Sequence, residues 1–348
     1  MPYFASRRRL LSTLLTLSVF PSVTLAQARP YVERDDVLAW ARSVSKEQGI
    51  PLEWLLKALS EAKHNRTAER IMRKPKLTAT AQPKNWYAHK ESILTLERTY
   101  MGERFLKNNA DAFKRAYEQY GVSPAVIASI IGIESAYGRK MGQHKVLNVL
   151  MTLSFDYTRR ETFFKKELAA FLSWCHRSRL RPSQQLGSFA GAVGMCQFMP
   201  SNILKLGVDF DKDGRIDLRN SPTDAIGSVA RYLRNAGWKD GLAINWPCRA
   251  NDAIAKQLKS GGVRTNTTIK QAKRLGVRIA KEVEPPEDTP VLLARLPVVT
   301  AEGQNAALWR LGSRNYQAIL SYNRSYFYAE SVLELSKRLE PTVKKLFS

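Results

Sequence analysis

The amino-acid sequence predicts a mainly α fold, a helical core with an N-terminal helical part and a small β-rich insertion. Three observations carry this. Apolar residues recur at helical spacing in successive segments between residue 33 and about residue 240. From about 241 to 311 glycine and proline pairs and β-branched residues replace that pattern. Helical spacing then returns from Tyr316 to Leu339.

The elements follow in order. Arg7-Arg8-Arg9, the apolar stretch Leu10 to Phe20 and Ala26-Gln27-Ala28 read as a secretory signal cleaved near Ala28. The apolar stretch is too short to span a bilayer, and no later segment is apolar enough to do so. No cysteine stands near the cleavage site, so a lipid anchor is not expected. Glu33 to Gln48 places Val37, Leu38, Ala41 and Val44 on one helical stripe, and Gly49 stops it. Pro51 opens a second helix through Trp54, Leu55, Leu56 and Leu59. Pro75 and Pro83 break residues 65–90 into loop with one short helix, and Trp86-Tyr87 are expected to pack on the core. Helices follow at His89 to Leu106, Asp111 to Tyr120, Ser123 to Gly138, 160–176 and 223–236. The last has Ser221 as N-cap, Pro222 at the first helical position and Asp224 in the first turn.

In the insertion, Gly261-Gly262, Pro285-Pro286 and Pro290 punctuate strand-like runs. These are Val263 to Ile269, Val291 to Leu293 and Leu296 to Thr300, with short helices at Asn251 to Lys259 and Ile269 to Leu275. The division is therefore a signal at 1–28, an N-terminal helical part at 29–110 and a core at 111–240. The insertion occupies 241–311, and helices at 312–348 complete the core.

The formal net charge is +24, or +21 once residues 1–28 are removed. Such a charge favours polyanionic partners and says nothing of fold. Nucleic acid, anionic lipid and anionic cell wall all qualify, but an export signal and the lack of a binding motif weigh against nucleic acid. The three cysteines, Cys175, Cys196 and Cys248, are odd in number and fit no zinc spacing, so free buried thiols are expected.

Four stretches carry chemistry. The helix from Ser123 to Gly138 holds Val126, Ile127, Ile130, Ile131 and Ile133 on nearly every face, which places it in a core. Its one carboxylate, Glu134, sits in the last turn. There the helix dipole and apolar surroundings both disfavour the anion, so its pKa should rise. A carboxylic acid kept protonated near neutral pH suits general-acid catalysis. The alternative is a glutamate paired to an arginine or reaching solvent at the helix end. In Gly187 to Ser201 the glycines permit close backbone approach, to a ligand or within a tight interhelical turn. Within it Ser188 and Gln197 could hydrogen-bond a sugar and Met199 could pack on its face. Ile319 to Tyr328 concentrates Tyr and Asn, which either bind a sugar or form a buried aromatic cluster. Finally, Asp209 to Asn220 has Asp209, Asp211 and Asp213 at positions 1, 3 and 5 of an EF-hand-like loop, Gly214 at 6 and Ile216 at 8. Arg215 at position 7 would offer its backbone carbonyl, and Asn220 stands at 12 where a bidentate Glu is usual. That departure lowers the affinity for a cation and leaves its identity open; the alternative is a metal-free turn held by the Asp side chains.

Taken together these motifs resemble the lytic murein transglycosylase B family over roughly residues 33–340. The anchors are Ile130 to Gly138, Phe155-Asp156-Tyr157-Thr158-Arg159-Arg160, Gly187 to Ser201, Asp209 to Leu218, Ser221 to Ala230 and Ser321-Tyr322-Asn323. The resemblance implies a lysozyme-like core and cleavage of the β-1,4 bond between N-acetylmuramic acid and N-acetylglucosamine, leaving 1,6-anhydromuramoyl ends. It implies that Glu134 is the sole acid and base, and that catalysis needs no cofactor. Ser188, Gln197, Met199, Tyr232, Tyr322, Asn323 and Tyr328 would surround the sugar cleft. Arg159 and Arg160 would face a stem-peptide or lactyl carboxylate, with Phe163 nearby. It also implies a calcium loop at Asp209 to Asn220, glycan strands as partner, wall-remodelling proteins as the class of any protein partner, and a periplasmic location. The alternatives are a lysozyme-type hydrolase and a non-catalytic peptidoglycan-binding protein. Asp156 and Glu161, the nearest downstream acids, are assigned no catalytic role.

Overall fold

A computed structural model describes residues 30–73, 85–280 and 285–348; the signal segment 1–28, Pro75 and Pro83 lie outside them. The N-terminal part contributes α1 (Asp35–Gln48), α2 (Leu52–Ser60), α3 (Arg66–Arg73) and α4 (Trp86–Ile93). Next come α5 (Leu96–Asn108), α6 (Ala110–Tyr120), α7 (Pro124–Ser135), strand β1 (His144–Lys145), α8 (Val146–Phe155) and α9 (Glu161–Arg177). Strand β2 (Leu186–Gly187), α10 (Pro200–Leu206) and α11 (Pro222–Asn235) close the first part of the core.

The β-rich segment holds β3 (Asn245–Arg249), α12 (Asp252–Gln257), β4 (Thr267–Thr268), α13 (Ile269–Arg274), β5 (Arg278–Ile279), β6 (Pro290–Val299) and β7 (Asn305–Gly312). Its strands form one antiparallel sheet in the order β4-β6-β7-β3-β5. The chain ends in α14 (Arg314–Tyr322) and α15 (Tyr326–Phe347).

α7 is the axis of the fold. It packs against α5, α6, α11 and α15, so nearly every side needs an apolar residue. Residues from Pro124 to Gly132 are buried without interruption. One apolar cluster runs from Tyr31 to Val343 and joins the N-terminal helices to the core. A second cluster, with Trp246, Ile269, Val291, Leu293 and Leu311, lies within the β-rich segment. Asp156 ties the N-terminal part to α8. It accepts bonds from Arg34 (2.6 Å) and Tyr31 and faces His64 at 3.0 Å. Burial pushes this carboxyl up, but those three bonds outweigh it and hold the pKa below the usual range. Glu161 pairs with Lys165 at 2.6 Å. Both acids are thus occupied in structure.

Several elements differ from the sequence reading. The expected helix from His89 to Leu106 is two helices, because Thr95 caps α5 by accepting the Arg98 N–H. Gly138 does not end α7. The helix stops at Ser135, and Ala136 and Tyr137 turn left-handed, which folds the Tyr137 ring back over Gly132. A Cβ on Gly132 would lie 2.4 Å from that ring. α15 runs on past Leu339 through Pro341, since Leu339 and Val343 are both buried and packing outweighs the lost hydrogen bond. Val263 to Thr265 is not strand; the Thr265 N–H and hydroxyl bond Gln317 instead. The runs at 291–293 and 296–300 are one strand that tolerates Pro297.

Candidate active site

Glu134 lies in the last turn of α7, where Ile133 and Glu134 break the buried run. Ser135 anchors this end by donating from Oγ to the carbonyl of Met195 (2.7 Å) and accepting the Gly138 N–H. That bond joins α7 to the glycine-rich stretch. Part of Glu134 reaches solvent while most of the side chain is enclosed. Burial raises its carboxyl to about 7, with the nearby Tyr328 hydroxyl pulling the other way. That hydroxyl is itself buried and makes no hydrogen bond of good geometry, so its influence on Glu134 is one of proximity. Among the described residues no cation pairs with Glu134. The ion-paired alternative is therefore removed.

Two tyrosine rings, Tyr322 and Tyr328, lie beside this carboxyl, and two more rings pack onto Tyr322. Tyr322 and Tyr328 stack with centroids 6.3 Å apart and planes 12° apart. Tyr232 lies 4.7 Å from Tyr322, and Phe198 lies within 6 Å of both. Burial, Cys196 and Glu134 together drive the Tyr322 hydroxyl pKa far up. Burial and Glu134 do the same for Tyr328. Both hydroxyls stay protonated at any pH near neutrality. The hydroxyl protons of Tyr232 and Tyr322 are already used, Tyr232 donating to the Ser321 carbonyl and Tyr322 to that of Cys196, so toward a ligand these oxygens can only accept. What these residues offer is ring surface.

The glycines of 187–201 serve the chain's own backbone. A Cβ on Gly187 would lie 2.3 Å from the Ala192 carbonyl oxygen, and one on Gly194, at φ 75°, 2.3 Å from that of Leu218. Strand β2 pairs with β1, and bridges at Gly187–Val193 and Val193–Phe198 fold the stretch on itself. Gln197 is held at φ 49°, a costly conformation that clusters at functional sites. Its side-chain nitrogen donates to the carbonyls of Gly194 (2.8 Å) and Met141 (3.2 Å), which leaves the side-chain carbonyl unused. Ser188 Oγ accepts the N–H groups of Ala190 and Ala192 and so shapes the loop. Met199 is partly buried at the N-cap of α10. Asn323 is exposed just after α14.

Arg159, Arg160 and Phe163 stand together at the exposed start of α9. The Arg160 guanidinium lies 4.1 Å from the centre of the Phe163 ring. Among the described residues, no hydrogen bond, ion pair or ring contact links these three to the Glu134 cluster. The sequence reading passed over Phe198 and Ser135. Both sit beside a singled-out residue, Gln197 and Glu134, and that adjacency was the only signal. The thiols of Cys175 and Cys196 are free and buried; that of Cys248 is free and half-buried.

The carboxylates of Asp209, Asp211 and Asp213 have oxygens within 4.8 Å of one another. Arg215 approaches Asp213 at 3.5 Å, too little cation to balance three anions. Converging oxygens of this kind suit a divalent hard cation. The side-chain nitrogen of Asn220 donates to Asp217 at 2.9 Å. Asp224, fully buried, accepts the N–H groups of Phe210, Asp211 and Asp217 and so folds the loop.

A cavity of about 710 Å³ lies between the β-rich segment and the start of α7, lined by Trp238, Ile244, Arg310 and Asn315, and does not include Glu134.

Residues 33–337 match the transglycosylase SLT domain family. The chain belongs to that family. It is 34% identical over 296 residues, 84% of this chain and 79% of the relative, to the membrane-bound lytic murein transglycosylase B of Escherichia coli K12. The SLT-domain chain superposes on catenated lytic transglycosylase SltB1 of Pseudomonas aeruginosa with a TM-score of 0.82 and 30% identity, covering 90% of this chain and 99% of that one. The E. coli lytic transglycosylase Slt35, solved with calcium, gives 0.75 and 31%, covering 90% and 93%. SltB3 of P. aeruginosa, solved with NAG-NAM-pentapeptide, gives 0.71 and 26%, covering 87% and 79%. The lysozyme-like helical architecture expected from the sequence is thus that of the SLT-domain fold. No helix among the described residues is long and apolar enough to cross a membrane.

Proposed function

We propose that this SLT-domain protein is a periplasmic lytic transglycosylase that cleaves peptidoglycan between N-acetylmuramic acid and N-acetylglucosamine with Glu134 as both acid and base. The observation that carries this is a single enclosed carboxyl raised to about 7, unpaired and set beside the stacked rings of Tyr322 and Tyr328. Most glycosidases use two carboxyl groups. Here the substrate supplies the second function. Protonated Glu134 gives its proton to the glycosidic oxygen as the C1–O bond breaks, and the muramoyl N-acetyl oxygen lends an electron pair to C1. Ionised Glu134 then takes the proton of the 6-hydroxyl, whose oxygen attacks C1 and displaces the acetyl oxygen. Glu134 ends protonated, the product carries a 1,6-anhydro bridge, and no water is consumed. A pKa close to ambient pH suits a group that must act in both directions.

The rings of Tyr232, Tyr322 and Tyr328 form one wall for the sugar, and the free carbonyl of Gln197 and the amide of exposed Asn323 supply polar contacts. Ser188 and Met199 line the same cleft through the loop they shape. Arg159 and Arg160, with Phe163, face carboxylates of the polymer; paired guanidiniums suit them. The export signal read at residues 1–28 supports the periplasm. We also keep the division at 29–110, 111–240, 241–311 and 312–348, which the second apolar cluster supports for the insertion.

Mass spectrometry of products from purified sacculi tests the reaction class. Anhydromuropeptides one water lighter than hydrolysed ones are expected, and hydrolysed ends alone would sink the proposal in favour of the lysozyme-type reading.

Asp209, Asp211 and Asp213, with the backbone carbonyl of Arg215, would hold calcium. Ion binding to the folded state stabilises by about 2.7 kcal/mol at a hundredfold excess over Kd. Millimolar calcium should therefore raise Tm by roughly 5 °C, and chelator should reverse it. Calorimetry on Asp211→Asn, in which the rise should vanish, checks the assignment.

A further inference from the structure

We propose that a second cavity, beside the Glu134 cleft and on the far side of Tyr322-Asn323, takes a free carboxylate of the peptide stem borne by the glycan strand. The inference rests on the transglycosylase reading and extends it to a part of the substrate away from the scissile bond.

The cavity encloses about 660 Å³, within the size range of ligand sites. Asn85, His89, Arg295, Arg324, Tyr326 and Phe327 are among the residues that line it, and no Asp or Glu does. Two arginines thus line it. The Arg295 Nε is satisfied by Asp252 at 2.9 Å, which leaves its outer nitrogens. Arg324 is exposed and pairs with nothing among the described residues. Of the other polar groups around it, two already have partners. The Tyr326 hydroxyl donates to the Gly262 carbonyl (2.6 Å), and His89 meets the Ser331 hydroxyl. Burial keeps His89 below the usual histidine range, so it adds no charge near neutral pH. The unsatisfied capacity of the cavity is therefore cationic and planar, which matches a carboxylate.

Position ties this capacity to the substrate. Arg324 follows Tyr322 by two residues, and two residues of extended chain span at most about 7 Å. Tyr322 and Tyr328 both face Glu134, so the segment between them leaves the cleft, passes the cavity and returns. Ser325 fixes this excursion by capping α15. A lactyl carboxylate is attached next to the sugar ring and would stay in the cleft. A peptide stem projects away from the ring and ends in a free carboxylate.

The test compares two polymers with the full mature chain. Glycan strands bearing peptides and strands stripped of peptides by an amidase are each digested, and kcat/KM is measured for wild type, Arg324→Ala and Arg324→Lys. Loss of a charge-assisted contact predicts that the ratio of peptide-bearing to stripped kcat/KM falls about tenfold in Arg324→Ala, through KM. Arg324→Lys should recover most of it. Arg324 is exposed, so the fold should survive, and circular dichroism checks this. An unchanged ratio, or equal losses on both polymers, would overturn the stem site. Failure of wild type to release anhydro products from either polymer would instead overturn the reaction assigned to Glu134.

Discussion

Glu134→Gln is expected to abolish anhydromuropeptide release and, at the same time, to make the protein more stable at pH 8. The loss of activity follows from asking one group for two proton transfers. General acid–base catalysis contributes about 10²–10⁴ per group, so a fall of at least about a thousandfold is expected. The gain in stability follows from the raised pKa. A carboxyl at about 7 in the fold and near 4.5 when unfolded holds its proton more tightly in the native state. Ionising it therefore costs native stability progressively as pH rises from 4.5 through 7, and the cost is fully present above 7. This is the reverse of a salt-bridged carboxylate. A shift of that size corresponds to about 3 kcal/mol, and solvent access to Glu134 reduces it. Gln carries no such cost, so its Tm should exceed that of wild type by a few degrees at pH 8, with the advantage fading as pH falls from 7 to 4.5 and absent below that. Anhydro product released at more than about a hundredth of the wild-type rate, or a Tm difference that ignores pH, would contradict the role assigned here.

Glu330→Ala is expected to loosen the β-rich segment from the helical core. Glu330 is 1% exposed on α15. It accepts bonds from Asn245 on β3 and from Arg310 on β7, at 3.3 Å for the latter. Burial raises its pKa and the Arg310 charge partly offsets that. Removing the carboxylate leaves Arg310, 18% exposed, without its partner. Breaking a buried pair from one side costs about 3–5 kcal/mol. A urea midpoint shifted down accordingly is the expected result, with early proteolytic cleavage between residues 241 and 311. Glu330→Gln, which keeps an acceptor for Asn245, should lose less. Equal stability of Glu330→Ala and wild type would show that the pair is not what joins the two parts.

Much of this was legible before any coordinates. The helix at 124–135, its apolar girth and its lone acid needed only periodicity and residue type. Ser221 and Pro222 open α11 as their cap chemistry requires. The Asp209 to Gly214 spacing foretold three converging carboxylates. Other features were hidden because they depend on partners distant in the chain. Val146–Phe155 forms a buried helix that no periodic stripe announced, since it is apolar on most sides. The Tyr322 hydroxyl looked available for sugar, but its proton goes to the carbonyl of Cys196. Asn220 stands at a ligand position by spacing, and only the fold shows its side-chain nitrogen bonded to Asp217.

By itself, then, the order of residues determined which segments coil, where the acid sits on its helix and which loop can gather oxygens, because these depend on neighbours three or four places away. Only the folded chain decided that Glu134 is enclosed yet unpaired, that Tyr137 must turn left-handed over Gly132, and that Arg324 opens onto a cavity without a counter-charge. Those outcomes hinge on which distant groups arrive beside each side chain, and burial and pairing are properties of that company.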